Sequence, residues 1–595
     1  MRRQKFPAHI VTIFLVLVVP HIANAEWKNA LKPKGAPAGR LTLVENGKPR
    51  YAIQIPAHPT KIEHKAAEEL QSWVERISTG RPEIVDSHRE PSVAIHTDPS
   101  LGEEGYRVAV NGVNLELAGG TTRGCLNAVY ALLEEDLGCR FYTNESIKLP
   151  TGKTLVAEPI ARTFIPQLRL RDPYYAVAFD PVWSVRNRTN APKANVGEEL
   201  GGHIDYGHRF VHTAAALVPP KEYFDAHPEY FALDEKGKRY TAQLCTTHPE
   251  VARIVTASVL KTLDAHPETE IISVSKNDSA GNQLCQCERC RKIRAAEGGS
   301  EMGCQLVLVN AVAEAVEKSH PNVVIDTLAY LDTVQPPKTV RPRHNVVIRL
   351  CNDEVGSWKH PFTAAEQCEV AKTAAAWSKI HDRIYVWDYT VNFSHYLAPM
   401  PNIDVMAANI RFWAKNHAEG VMLQGGYEGP AENDEMKCWV TSKLLWDPAR
   451  DEKELVQDFI WGHYGNAAPA LTEYDALMNS LRHDYKQEMF TPERGIRYPM
   501  DSPFFTKQFI DQATEIFSKA KAFARDDQEL LRRVERAKLP ILYVESARGR
   551  EFVGQNYANI LAAFERIARR EHISHLQEAA SDFEEKLAGW KAKSR

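Results

Sequence analysis

The sequence lacks a strong excess of charge of either sign. Its 73 Lys and Arg residues nearly balance its 77 Asp and Glu residues, which leaves a net charge of −4 at pH 7. Nucleic acids and anionic membranes attract basic proteins, so neither is predicted as a partner. The GxSxG, HExxH, Walker A and GxGxxG patterns are also missing. Serine hydrolases, zincins, kinases and dehydrogenases therefore find no support, and no cofactor is predicted.

The apolar run near the N-terminus is too short for a transmembrane span. It extends from Ile10 to Val19, about half of the ~20 residues that a span needs. Basic residues precede the run, and residues 23–25 (Ala-Asn-Ala) fit a small-x-small cleavage site. We predict a signal peptide over residues 1–25, with an uncleaved anchor as the alternative. The protein is then periplasmic or secreted, with no membrane contact after cleavage.

A chain of 595 residues is too long for a single core, so several domains are expected. Residues 26–40 have the composition of a linker. Residues 41–160 combine short strands, a hairpin signal at Asn111-Gly112 and helices predicted over Lys61–Thr79 and Thr121–Leu137, and they predict an N-terminal α/β sandwich domain. Residues 161–447 alternate strands with helices. Residues 448–595 carry helix-period apolar positions and predict a C-terminal helical domain, with a last helix over Ile573–Trp590.

The region 161–447 contains eight candidate strands, with a helix plausible after most of them. The predicted fold class is therefore α/β, with a central (β/α)8 TIM barrel between the N-terminal α/β sandwich domain and the all-helical C-terminal domain. A doubly wound open sheet is the rival, but it would need a Gly-rich phosphate loop. The predicted strands are Gln167–Arg171, Arg209–Thr213, Ala242–Thr246, Ile271–Lys276, Val323–Tyr330, Val346–Leu350, Ile384–Asp388 and Gly420–Gln424.

Carboxylates, aromatic rings, Arg and His follow most of these strands. In a barrel the carboxyl ends of the strands meet on one face. Carboxylates can hydrolyse a glycosidic bond, aromatic rings present flat faces to sugars, and Arg or His can hold a hydroxyl or a uronate. We therefore predict an oligosaccharide or polysaccharide site, although helix caps and core packing are alternative roles. The predicted substrate-binding residues are Arg171, His212, Asn277, Tyr330, Arg349, Trp387, Tyr389, His395, Tyr427 and Glu428.

Several cysteines follow the fourth predicted strand. Cys285, Cys287 and Cys290 lie close together, and Cys304 comes fourteen residues after the last of them. Disulfides are favoured in an exported protein. The alternative is tetrahedral zinc bound by these four thiols, although their spacing is not that of a standard zinc ribbon. In either arrangement the cysteines would hold the loop beside Asp278 in place. A further alternative is a zinc-dependent hydrolase, in which the metal takes part in the reaction.

Five sequence runs resemble a family of exported bacterial proteins that is known only as domain of unknown function 4838. The runs are ISVSKND…CQCERC, IDTLAYLDTVQPPK, VVIRLCNDE…HPF, YVWDYTVNFSHYLAPMPN and SKLLWDP. The resemblance covers roughly residues 40 to 480. The family is similar in layout to α-glucuronidases and β-hexosaminidases, which combine an N-terminal α/β domain, a (β/α)8 barrel and a helical C-terminus. It implies polysaccharide utilisation, with α-glucuronidase-like hydrolysis as the leading activity.

The resemblance also implies the catalytic carboxylates. Its acidic positions fall on Glu354, Asp388 and Asp278. We predict Glu354 as the general acid, because partial burial near Trp358 and His360 would raise its pKa. Asp388 is predicted as base or nucleophile, and Asp278 either positions the substrate or replaces Glu354.

One position departs from the family pattern. The family has Glu in strand eight where this chain has Leu423, so a carboxylate from that strand would have to be Glu428. The function expected from the sequence is that of an exported glycoside hydrolase acting on a uronic-acid-bearing or amino-sugar-bearing glycan. The alternative is a non-catalytic glycan-binding protein on the same scaffold.

Overall fold

The computed structural model describes residues 26–278, 284–351, 360–363, 368–484 and 496–594. Within these ranges the chain forms a mixed α/β N-terminal region, a central region around a curled parallel sheet and a helical C-terminal region. None of the described helices is both long enough and apolar enough to cross a bilayer.

The N-terminal region has a six-stranded mixed sheet in the order β11-β6-β7-β5-β3-β4 and a three-stranded sheet in the order β10-β1-β2. The hairpin predicted at Asn111-Gly112 joins β6 to β7. Helix α1 begins at a capping box formed by Thr60 and Glu63. The elements are β1 Leu41–Glu45, β2 Lys48–Pro49, β3 Ala52–Gln54, α1 Lys61–Ser78, β4 Ile84–Val85, β5 Ser92–Thr97, β6 Tyr106–Asn111, β7 Asn114–Gly119, α2 Gly124–Ala131, β8 Arg140–Phe141, β9 Ile147–Lys148, β10 Leu155–Ala157 and β11 Arg162–Phe164.

The central region has a parallel sheet of six strands in the order β12-β19-β18-β17-β16-β15. These six strands match six of the eight predicted ones. The elements are β12 Leu170–Asp172, α3 Pro181–Arg186, α4 Ala214–Leu217, α5 Pro220–Tyr223, β13 Phe231–Leu233, β14 Arg239–Leu244, α6 Pro249–Ala265, β15 Ile271–Ser273, α7 Glu288–Ala296, α8 Glu301–Ser319, β16 Val324–Ala329, β17 Val346–Cys351, α9 Cys368–Ser378, β18 Ile384–Tyr389, α10 Ile403–Lys415, β19 Ala418–Gln424 and α11 Asp434–Trp446.

The two remaining predicted strands do not join the sheet, so a closed eight-stranded barrel is not formed by the described residues. The segment predicted as Ala242–Thr246 lies largely in β14, which pairs antiparallel with β13 in a separate hairpin. The segment Arg209–Thr213 is irregular. Its ends are bent by the left-handed backbone of His208 (φ 61°) and His212 (φ 52°), which a continuous strand cannot accommodate.

The parallel sheet nevertheless curls around an interior core. Leu170 from one edge strand and Ile271 from the other belong to the same buried cluster. The irregular segment 204–214 runs beside the second edge, where the Ile271 N–H donates to the Asp205 carbonyl at 3.0 Å. The sheet is therefore half of a barrel, and a loop follows its edge where a strand was predicted.

The C-terminal region is helical, as predicted. A helix predicted over Ile573–Trp590 begins only at Phe583, and the residues before it lie as an irregular segment against the central region. There the Tyr396 N–H donates to the Leu576 carbonyl, and the Glu578 N–H donates to the Phe393 carbonyl. The helices are α12 Glu452–Tyr464, α13 Ala468–Asp484, α14 Lys507–Ala524, α15 Gln528–Ala537, α16 Leu539–Arg548, α17 Arg550–Val553, α18 Tyr557–Arg570 and α19 Phe583–Ser594.

A buried ion pair joins the N-terminal region to α12. The Arg140 guanidinium lies 2.7 Å from the Asp458 carboxylate, and both side chains are fully buried. Tyr142 and Trp27 donate further hydrogen bonds to the same carboxylate, at 2.6 and 3.0 Å. Because a buried charge needs such partners, this network fixes how the two regions pack.

Candidate active site

A cavity of about 310 Å³ lies at the carboxyl ends of the parallel strands. Six predicted site residues line it. A larger cavity of about 590 Å³ lies beside the C-terminal helices, and no strand of the parallel sheet contributes to its lining. Barrel enzymes carry their active sites at the carboxyl ends of the parallel strands, so the cavity of about 310 Å³ is the candidate site. It is lined by Tyr174, Phe210, Val211, His212, Asp278, Leu328, Tyr330, Cys351, Trp387, Tyr389, Phe393, Gln424, Tyr427, Arg497 and Glu578.

Aromatic rings form almost half of this lining. Trp387 and Phe210 lie face to face, with ring centroids 6.1 Å apart and planes inclined by 30°. The indole N–H of Trp387 donates to the Gln424 side chain at 2.8 Å, which fixes the ring orientation. Aromatic faces held in this way suit the apolar faces of sugar rings.

Asp278 follows the end of β15 and is exposed at the cavity. The preceding residue, Asn277, does not line the cavity. Its side-chain oxygen accepts from the Ala215 N–H at 2.9 Å, and its amide donates to the Ala242 carbonyl at 2.8 Å. Asn277 therefore holds α4 and β14 together beside Asp278, and its contacts do not support the substrate-binding role predicted for it.

His212 lines the cavity in a defined tautomeric state. Its Nδ1 lies 3.0 Å from the carbonyl oxygen of Lys276. A carbonyl only accepts hydrogen bonds, so Nδ1 carries the hydrogen and Nε2 of the neutral ring is an acceptor. The His212 ring also lies edge-on to Tyr330, with centroids 6.5 Å apart.

The C-terminal region contributes a charged pair that the sequence did not predict as part of the site. Arg497 and Glu578 form a salt bridge of 3.0 Å in the cavity wall. The second oxygen of Glu578 accepts from Gln424 at 3.1 Å, and the Arg497 guanidinium lies 5.2 Å from the Phe393 ring centroid. Glu578 was hidden in a predicted helix. The Ser581-Asp582 pair, typical of a helix start, was the available signal that the helix begins later.

Asp388 lies on the opposite face of its strand. Trp387 and Tyr389 line the cavity, and side chains alternate along a strand, so Asp388 points to the helix layer. There its buried carboxylate accepts from the Asn409 amide at 3.3 Å. The predicted role of Asp388 as base or nucleophile is therefore not supported by its position, because its carboxylate faces α10 and is not part of the cavity lining.

Two predicted arginines are buried away from the cavity lining. Arg171 forms a salt bridge with Glu104 of the N-terminal region. Arg349 lies inside the curled sheet, where it pairs with Asp326 at 3.0 Å and contacts the Tyr206 hydroxyl. Both guanidinium groups therefore hold the scaffold together, and neither is placed to bind a substrate.

His395 and Glu428 also have structural contacts. Nδ1 of His395 lies 2.8 Å from the Tyr543 hydroxyl, and burial lowers the pKa of this imidazole to about 4. The Glu428 carboxylate accepts from the Tyr396 hydroxyl at 2.9 Å and from the Ala579 N–H. Glu428 thus anchors the segment that carries Glu578, and neither residue lines the cavity.

A perturbed carboxyl group lies inside the curled sheet. Asp172, at the end of β12, is fully buried, and neither of its carboxylate oxygens has a hydrogen-bond partner among the described residues. Burial raises the pKa of Asp172 to about 7, although the positive charges of Arg349 and Lys193 oppose the increase. Its register partner on β19 is Met422, one layer below Gln424. Asp172 therefore lies beneath the cavity.

Glu354, the predicted general acid, lies outside the described residues, and its role stays a prediction. It follows Cys351, which lines the cavity, by three positions in the sequence. Among the described residues, Asp278 and Glu578 are the two carboxylates of the lining.

The nine cysteines whose side chains the structure describes are free thiols, so the disulfides favoured from the sequence do not form among them. Cys304 is also not part of the cluster that the other three cysteines make. Its thiol donates to the Cys290 carbonyl at 3.4 Å. Cys245 takes the fourth place, with its sulfur 3.6 Å from that of Cys287.

Comparison with solved structures shows that the chain resembles a glycoside hydrolase in fold. The family GH115 4-O-methyl-α-glucuronidase BtGH115A, which has specificity for decorated arabinogalactans, is 11% identical with a TM-score of 0.54, over 90% of this chain and 77% of that one. The GH20 exo-β-N-acetylglucosaminidase of Vibrio harveyi is 10% identical with a TM-score of 0.42, over 74% and 78%.

The sequence comparison defines the family. The model of the domain of unknown function DUF4838 matches residues 141–476, which is more than half of the chain. The protein belongs to this family, as its sequence runs indicated. A comparison with curated proteins finds no match.

Proposed function

We propose that the protein is an exported glycoside hydrolase that acts on a uronic-acid-bearing polysaccharide in the manner of an α-glucuronidase. The observation that carries this proposal is the aromatic cavity at the carboxyl ends of the parallel strands, with Asp278 exposed in its wall. The N-terminal signal pattern supports export. The fold shared with a 4-O-methyl-α-glucuronidase supports a uronic acid as the sugar.

Hydrolysis needs one carboxyl group that protonates the leaving oxygen and a second that activates water or attacks the anomeric carbon. Asp278 supplies one of them in this proposal. Glu354 supplies the other, since Asp388 points away from the cavity and Glu578 is paired with Arg497. Trp387 and Phe210 would hold the sugar ring so that its glycosidic oxygen lies between the two carboxyl groups.

Recognition of a uronate falls to Arg497 in this proposal. Its guanidinium already binds a carboxylate in the cavity wall, that of Glu578, and its side chain is 40% exposed. A sugar carboxylate offers the same two oxygens and could share this guanidinium. The acceptor Nε2 of His212 would take a sugar hydroxyl, because Nδ1 is held by the Lys276 carbonyl.

A non-catalytic glycan-binding protein is the second candidate. It is favoured by one observation. Of the two carboxylates in the described lining, Glu578 is neutralised by Arg497, which leaves Asp278 without a catalytic partner in that part of the chain. Such a protein would keep the aromatic walls and bind sugars without cleaving them.

The two candidates are separated by measuring turnover and affinity on the same oligosaccharides, with and without a terminal uronic acid. For the enzyme, we expect Asp278→Asn and Glu354→Gln each to lower kcat by about 100-fold or more, while Kd changes little. Asp225→Asn, an exposed aspartate distant in sequence, is the control.

Three results would count against the proposed enzyme. Wild-type protein that binds these sugars and releases no uronic acid would establish the binding protein. Unchanged kcat in both variants would remove the two carboxylates from the mechanism. Equal turnover of oligosaccharides without a uronic acid would show that the protein does not recognise the uronate.

A further inference from the structure

Four thiols from two distant parts of the chain meet beside the candidate site. Cys245 follows strand β14, and Cys285, Cys287 and Cys290 lie at the start of α7, forty residues or more further along the sequence. The four sulfur atoms all lie within 4.8 Å of one another. Four thiols from two separate elements therefore converge at one place, which a lone buried cysteine does not do.

The separations between sulfur atoms distinguish a metal site from disulfides. The Cys245 sulfur lies 3.6 Å from that of Cys287 and 3.9 Å from that of Cys290. In a tetrahedron with Zn–S bonds of about 2.3 Å, neighbouring sulfurs are about 3.8 Å apart. A disulfide would require about 2.05 Å. The observed separations therefore match the edge of a zinc tetrathiolate.

The backbone presents these thiols in a suitable way. Cys287 is the N-cap residue of α7 and makes no side-chain capping bond, so its sulfur is free for another partner. Cys290 lies one turn later on the same side of the helix. The Leu233 N–H points to the Cys285 sulfur at 3.5 Å, and the Thr247 hydroxyl lies 3.1 Å from the Cys290 sulfur. Such donors stabilise thiolate charge around a metal.

We propose that Cys245, Cys285, Cys287 and Cys290 bind one zinc ion in a tetrahedral site. The site is structural, because four protein ligands leave no position for water or substrate. Zinc would join the β13–β14 hairpin to the start of α7. The same hairpin holds Asn277 through the Ala242 carbonyl, so the metal would link α7 to the residue that precedes Asp278. This proposal is independent of whether the cavity cleaves or only binds a glycan.

Metal content of the full-length protein tests the site, and Cys304 provides a matched control. Cys304 is buried against the same cluster, but its thiol donates to a carbonyl oxygen. After purification without added metal, we expect about one zinc per chain in the wild type and in Cys304→Ser. We expect Cys245→Ser to lose most of the zinc.

A cobalt experiment on the wild type covers the case in which Cys245→Ser fails to fold. Zinc is removed with a chelator and Co²⁺ is added. We expect sulfur-to-cobalt charge-transfer bands and the intense visible bands of tetrahedral coordination, at one equivalent. Metal-free protein that takes up no Co²⁺ would overturn the proposal. So would peptide mapping that finds Cys290 in a disulfide, or zinc loss from Cys304→Ser with retention in Cys245→Ser.

Discussion

Replacing Asp172 with Asn should make the stability of the protein less sensitive to a rise in pH from about 5 to 8. Burial raises the pKa of Asp172 from 3.8 to about 7 in the folded state. The folded protein therefore holds this proton more tightly than the unfolded chain does. Stability is then highest below the unfolded pKa and falls as the pH rises towards the folded pKa.

The expected size follows from the pKa difference. Each pKa unit corresponds to about 1.4 kcal/mol, so ionising Asp172 costs the folded state up to about 4 kcal/mol. Roughly 2 kcal/mol of this cost develops between pH 5 and pH 7. Asn has nearly the same shape and never ionises. The free energy of unfolding of Asp172→Asn, relative to wild type, should therefore rise by about 3 kcal/mol from pH 5 to pH 8.

Urea unfolding of both proteins at a series of pH values measures this difference, with Asp225→Asn as an exposed control. The same samples should keep sugar affinity, because Asp172 lies beneath the cavity and not in its lining. A constant stability difference across pH would refute the burial argument. Loss of turnover in a stable Asp172→Asn protein would instead make Asp172 part of the catalytic machinery.

Three further predictions concern the scaffold and the cavity. Asp458→Asn should destabilise the protein by about 3–5 kcal/mol, because it leaves the Arg140 guanidinium buried without a charged partner; denaturant unfolding measures this, and a loss below about 1 kcal/mol would contradict it. Trp387→Ala should weaken sugar binding about tenfold by calorimetry without changing the fold; unchanged affinity would show that the sugar does not contact this ring. Arg497→Gln should weaken binding of uronic-acid-bearing sugars more than that of neutral ones, and an equal loss for both would remove Arg497 from uronate recognition.

Local patterns in the sequence predicted most of the scaffold. Helix α1 was predicted over 61–79 and ends at Ser78, and six apolar strand patterns correspond to the six strands of the parallel sheet. Such elements were predictable because a buried strand or an amphipathic helix has a regular apolar pattern. The segment around His212 was not, because left-handed residues bend a chain that otherwise has the composition of a strand.

The site was predictable only in part because several of its features depend on long-range packing. The strand ends predicted the cavity residues Trp387, Tyr389 and Tyr330, since strand ends meet on one face. The side of the sheet to which Asp388 points could not be predicted, because it depends on whether Trp387 and Tyr389 face the cavity. Cys245 and Glu578 come from distant parts of the chain, and no local spacing could bring them to Cys287 or Gln424. Disulfides were favoured because the protein was expected to be exported, and Cys245, which takes the fourth place in the cluster, lies forty residues before Cys285 in the sequence.

The structure of the protein with a bound uronic-acid-bearing oligosaccharide tests the proposed activity most directly. We expect the sugar ring against Trp387, the uronate at Arg497 and the glycosidic oxygen between Asp278 and Glu354. A separation of about 5 Å between these two carboxyl groups would indicate retention, and about 6.5–9.5 Å would indicate inversion. A sugar bound outside this cavity, or a glycosidic oxygen with no carboxyl group beside it, would contradict the proposed hydrolysis.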